Sequence, residues 1–200
     1  MKAHSLLLAA AVALTLTACQ SGPPAPPPVA QPAPQPSVPV VPPPQPVVTA
    51  GPLAPAGVGR YVDALERDLR QRLRGSGIAV ARRGDDLLVT ILNVRLFASE
   101  SVSPAGLSLL ESVAQVLRTY DHTLVQVNGY TDTSGTPEQN LSVSLRRAGL
   151  AGEALTQSDI AASRIEVHGF GGTSLKIATG DHVNEPRNRR IEIRIVPRPG

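Results

Sequence analysis

The chain has 200 residues, with 19 Lys and Arg against 16 Asp and Glu and a formal charge of +3. A single Cys excludes an intramolecular disulfide, and two Phe, three Tyr and no Trp leave no aromatic platforms for nucleic-acid bases, so no nucleic-acid partner is expected. The same composition requires a core of Leu, Ile, Val and Ala, and the pI near 9.5 fits a mild attraction to anionic polymer.

Residues 1–18 have the layout of a secretory signal: Met1-Lys2, then an apolar run over 6–16 that is too short to cross a bilayer. The run closes on Leu16-Thr17-Ala18-Cys19, which resembles a bacterial lipobox. That resemblance implies lipidation of Cys19, which becomes the mature N-terminus. The plainer reading is an ordinary signal followed by a lone buried cysteine. Several acyl chains on Cys19 hold a protein on a membrane durably where one holds it marginally. In such lipoproteins an Asp after the Cys favours inner-membrane retention, so Gln20 implies a lipid anchor in the outer membrane, facing the periplasm.

Residues 19–59 read as the lipidated Cys and a spacer. Positions 21–55 hold fifteen of the 20 Pro and no charge, a composition that cannot build a core and favours extended polyproline II. At about 3.1 Å per residue such a stretch reaches on the order of 100 Å.

The remaining residues suffice for one core. A helix is expected over 60–74, within an N-terminal segment 60–76, with Val62, Leu65, Leu69 and Leu73 at helical spacing and Gly75 as its stop. Its other face, with Glu66, Arg67, Asp68 and Arg70, reads as solvated or as a surface for a partner. Residues 77–200 form the main domain. Runs at 78–81 and 87–92 predict a hairpin turning at Gly84. Ser103-Pro104 opens a helix to about Tyr120 with Leu107, Leu110, Val113, Ala114 and Leu117 as its buried stripe. A strand follows over 123–128. Thr136-Pro137-Glu138-Gln139 has the form of a capping box, so a second helix runs from there to about Leu155. Strands are expected over 164–168 and 190–196, the last with Ile191, Ile193 and Ile195 on one face and Arg190, Glu192 and Arg194 toward water. The order predicts an α/β two-layer sandwich, β-α-β-α-β plus a final strand, with a mixed sheet and its helices on one face.

Chemistry concentrates between residues 127 and 148. Asp132 follows the end of a strand, while Asn140, Ser144 and Arg147 share one stripe of the following helix, because spacings of four and three bring side chains to one sector. A carboxylate beside an amide, a hydroxyl and a guanidinium suits a small zwitterion. Read without a relative, Asp132 and Arg147 are equally well a salt bridge bracing the loop.

The pieces Gly129-Tyr130-Thr131-Asp132, then Asn140, Val143, Ser144, Arg147 and Ala148, then Gly169 to Gly172, and finally Asn188-Arg189-Arg190-Ile191-Glu192-Ile193 resemble the peptidoglycan-binding domain of the OmpA C-terminal family, which includes Pal lipoproteins and the periplasmic part of MotB. The resemblance covers roughly 87–196. It implies the α/β sandwich above and a peptidoglycan partner, held through the diaminopimelate of the stem peptide. Asp132 would take the ammonium and Arg147 the carboxylate. Asn140, Arg189 and the backbone amides at Ala98 and Ser99 complete the implied site. Three positions depart from the family pattern: Tyr130 replaces a His, Ala98 an Asp, and Glu185 an Arg, which reverses a charge beside the site unless Arg187 compensates.

No catalytic set is legible. His122, His168 and His182 lie far apart without metal-ligand spacing, no G-x-S-x-G elbow occurs, and no cofactor is expected. Two functions fit: a tether joining the outer membrane to the wall, and a regulatory or assembly lipoprotein whose wall binding controls a periplasmic protein partner.

Overall fold

The computed structural model describes residues 53–198. The signal, Cys19 and nearly all of the Pro-rich spacer lie outside them. Ordered packing begins inside the expected spacer range, because Leu53 is already in the core. Helix α1 (Val58–Arg72) follows, buries Val62, Leu65 and Leu69, and ends before Gly75, whose φ of 78° suits a residue without a Cβ. Its charged face is not simply solvated: Asp68 accepts a 2.6 Å hydrogen bond from the Tyr120 hydroxyl, and Asp63 pairs with Arg82.

Strands β1 (Ala79–Arg83) and β2 (Asp86–Leu92) form the hairpin around Gly84 at φ 62°. The chain then makes a one-turn helix α2 (Asn93–Leu96) and a minimal hairpin, β3 (Phe97–Ala98) with β4 (Ser101–Val102). The apolar pattern did not announce these three elements, which are too short to carry a period. Helix α3 (Pro104–Thr119) is capped by Ser103, whose side chain accepts from the Gly106 amide. Leu107, expected in its buried stripe, is 46% exposed. Gly106 takes the inward position instead, so close to the Leu96 carbonyl that no side chain fits.

Strand β5 (Thr123–Tyr130), helix α4 (Pro137–Gln157), β6 (Ile165–Gly169) and β7 (Arg190–Pro197) complete the fold. The sheet order is β1-β2-β7-β5-β6, with β5 and β6 parallel and the other pairs antiparallel. The last strand thus fills the centre between the hairpin and the βαβ unit. Ile191, Ile193 and Ile195 meet Val89, Val125 and Val127 in one core that also takes in α1, α3 and α4, so the helices share one face of a mixed α/β sheet. The other face carries Asp86, Gln126 and Arg194 as a polar row.

Arg190 departs from the water-facing alternation. It is 5% exposed, lies 3.9 Å over the Tyr130 ring, and donates to Glu192 and to the carbonyls of Asn188 and Ser174. The loop 170–189, which follows β6, supplies the two carbonyl acceptors.

Two glycines set the height of α4 above the sheet. A Cβ on Gly129 would collide with the Ser144 carbonyl, and one on Gly169 with the Leu145 backbone. Gly149, inside α4, has open space instead. We therefore expect Gly129→Ala to lower stability by about 3 kcal/mol or more, since overpacking against backbone cannot be relieved by a rotamer. Gly149→Ala should raise it by roughly 0.5–1 kcal/mol through helix propensity. Urea denaturation of both variants checks the contrast.

Candidate functional site

Three segments meet at the carboxyl end of β5. The first is the loop 131–136, which carries Asp132. The second is α4, whose N-terminus is fixed by the capping box expected at Thr136 and Gln139, both halves of which form. The third is the end of the long loop 170–189. Loops of this length in a compact domain usually bind something.

Asp132 is 2% exposed and its carboxylate is fully engaged. Oδ1 accepts from the Ser134 amide at 3.3 Å and its hydroxyl at 2.7 Å; Oδ2 accepts from the Glu185 amide at 3.1 Å and Arg189 Nη1 at 2.9 Å. An ionised carboxylate offers about four acceptor positions, so none is spare. The partner of Asp132 is therefore Arg189, and no ion pair joins it to Arg147 among the described residues. The brace foreseen between Asp132 and Arg147 exists, but with a different arginine, 57 residues away in sequence.

Arg147 is half-buried and makes no hydrogen bond or ion pair among the described residues. Its guanidinium lies 5.9 Å from the Phe97 ring centre. Burial, and next the charge of Arg189, push its pKa down, while Asp132 pulls it up. Arg189 and Asp132 are thus the two strongest charges of opposite effect on Arg147, and no direct bond joins either of them to it among the described residues. Arg146 points off the stripe and pairs with Glu100, tying α4 to the tip of the β3–β4 hairpin. That tip holds the exposed Ala98 and Ser99, the latter at φ 59°, next to the ring side of Arg147.

The remaining stripe residues are structural. The Asn140 side chain donates to the Gly135 carbonyl at 3.2 Å and so fixes the loop. The Ser144 hydroxyl accepts from the Gly171 amide at 2.9 Å, docking the 169–172 turn on α4. Asn188, which the sequence reading did not assign a role, is fully buried and exchanges two 2.8 Å hydrogen bonds with the Ile177 backbone. In the Asn-Arg-Arg run the first and third residues thus hold the loop and the middle one enters the site.

Glu185, the reversed charge, is neutralised locally. Arg187 grips it through a fork of 2.9 and 2.7 Å and its own amide adds a third bond at 3.0 Å. These hydrogen bonds to Arg187 hold the Glu185 pKa down at about 2.

A mixed sheet with α3 and α4 on one face is the architecture of an OmpA-like domain. Residues 97–189 match the OmpA family and form an OmpA-like domain. It is 38% identical over 143 residues to the probable lipoprotein YiaD of Escherichia coli (strain K12), covering 70% of this chain and 65% of that one. It is 32% identical over 101 residues to the peptidoglycan-associated lipoprotein of Mesorhizobium japonicum, covering 50% and 60%. The solved structure of the cell wall anchor of the T6SS from Pseudomonas aeruginosa is similar with a TM-score of 0.57 and 29% identity, over 66% of this chain and 96% of that one. The chain thus spans less than two thirds of either lipoprotein's length.

The different states of the two site residues make opposite demands on folding. Asp132→Ala strands the Ser134 and Glu185 amides and Arg189, so a loss of about 2–4 kcal/mol is expected. Arg147→Met removes a half-buried cation that no hydrogen bond or ion pair holds among the described residues and should leave the melting temperature unchanged or raised. Thermal unfolding of the two variants tests whether Arg147 is held for a task other than stability.

Proposed function

We propose that the domain binds peptidoglycan non-covalently through the free end of meso-diaminopimelate. The observation that carries this reading is Arg147, a half-buried guanidinium without a partner among the described residues, beside a second guanidinium that is already bonded to a buried carboxylate. Such a cluster lacks one anion, and a carboxylate suits two arginine forks. The zwitterion fits by exchange: its ammonium takes the place of Arg189 on Asp132 Oδ2, and its carboxylate meets Arg189 and Arg147. Charge is conserved inside the site at every stage, which limits the cost of desolvation. Asn140 holds the loop, and the exposed residues Ala98 and Ser99 flank the entry. The names of the relatives, a peptidoglycan-associated lipoprotein and a cell wall anchor, support the same ligand.

With Cys19 lipidated and a spacer reaching on the order of 100 Å, wall binding makes the protein a tether between the outer membrane and the wall, without catalysis.

Arg147→Ala should weaken binding of diaminopimelate muropeptides more than tenfold with folding retained, since losing one partner of a shielded charge pair costs on the order of 2–5 kcal/mol. Amidating the terminal carboxylate should weaken binding to wild type similarly and have much less effect on Arg147→Ala. Titration calorimetry of the four combinations measures the coupling, and additive losses would dissociate Arg147 from that carboxylate.

The anchor is tested separately. Cys19→Ser should release the protein from membranes and abolish incorporation of labelled fatty acid, read by fractionation. A Ser variant that still carries label in the outer membrane sinks the lipid assignment.

A further inference from the structure

A cleft of about 510 Å³ opens next to the Asp132 loop, apart from the small groove that holds Arg147. Its walls include Leu141, 52% exposed, and Phe170, 38% exposed. The Phe170 ring stacks on Tyr130 at 5.1 Å and 11°, which fixes its orientation as a platform. Glu138 and Asp181 also line the cleft, and neither makes a hydrogen bond or ion pair among the described residues. Large exposed apolar side chains gathered in a concavity, with a few free polar groups, are the usual make-up of a ligand site.

The geometry points to a subsite for a sugar ring of the glycan strand, occupied by the same muropeptide whose diaminopimelate meets Arg147; it therefore rests on the wall-binding reading. An N-acetylhexosamine has an apolar ring face to lay on Phe170 and Leu141, and hydroxyl groups that donate to carboxylates such as Glu138 and Asp181 in strong charge-assisted hydrogen bonds. The spacing agrees. Asn140 lines the cleft and lies seven residues before Arg147, about 10 Å along α4 at 1.5 Å per residue. In the wall polymer diaminopimelate is the third residue of a peptide hung from the sugar, and three extended residues span about 10 Å. The cleft also adjoins the acid loop, because Thr133 and Gly135 line it and Gly172 in its wall packs against the Asp132 backbone carbonyl.

Calorimetry with three probes tests this: a stem tripeptide ending in diaminopimelate, the same tripeptide on its N-acetylglucosamine–N-acetylmuramic acid disaccharide, and the disaccharide alone. Wild type should bind the disaccharide-tripeptide about tenfold tighter than the tripeptide. Phe170→Ala, and independently Glu138→Gln with Asp181→Asn, should erase that gain and keep tripeptide affinity, while Arg147→Ala weakens both ligands. The double amide variant leaves the Tyr130 stack untouched, so it decides if Phe170→Ala fails to fold. No gain in wild type, or a gain that survives the double amide variant, overturns the subsite. Should wild type ignore the tripeptide, the wall reading itself fails, and amide shifts with the disaccharide decide the cleft. Shifts confined to 138–141 and 170–173 uphold it, and none at millimolar sugar overturns it.

Discussion

The structure around the site depends on one buried carboxylate. Asp132 can be buried to 2% exposure only because donors come to its carboxyl oxygens from Ser134, the Glu185 amide and Arg189. Those donors belong to the start of the α4 loop and to the end of the loop before β7, two stretches fifty residues apart in the chain. One side chain thereby closes the βαβ unit onto the final strand, and the position of Arg189 follows from it.

That closure needs α4 to lie low on the sheet. Gly129 and Gly169 allow the approach, and the Ser144 hydroxyl then reaches the Gly171 amide. The same approach fixes Arg147, one turn further along, with its guanidinium over the Phe97 ring. The packing of α4 and the position of Arg147 are therefore set by the same glycines: a side chain at either would move the helix and with it the guanidinium.

Much of this was legible in the sequence where a local rule governs. Ser103-Pro104, the Thr136–Gln139 box and the Ile191, Ile193, Ile195 alternation act over a few residues, and each appears where it was expected. The pairing of Asp132 with Arg189 brings together two residues that only the family resemblance had put in one site. What escaped were choices made by distant partners. Arg190 is buried because Tyr130 and the Ser174 carbonyl receive it, Leu107 is exposed because Gly106 takes the close contact with Leu96, and Asp132 prefers Arg189 to Arg147. None of these has a signature within one helix turn or strand of the residue concerned. Asn93–Leu96 and the hairpin after it are too short for any period to show.

The fates of the arginines separate structure from function more sharply than burial does. Arg164 is partly buried and its guanidinium donates to the carbonyls of Leu117, Tyr120 and Thr123, ending α3. Arg190 is nearly enclosed and likewise fully bonded. Arg189 is bonded to Asp132 and Asn184 but remains one-third exposed, within reach of an incoming group. Arg147 alone among these four has no polar partner among the described residues. A fold that bonds Arg164, Arg189 and Arg190 and leaves Arg147 without a polar partner forgoes stability at one point. On the proposed wall-binding reading a carboxylate ligand recovers it, with Arg189 turning to that carboxylate and Asp132 facing the ammonium that comes with it.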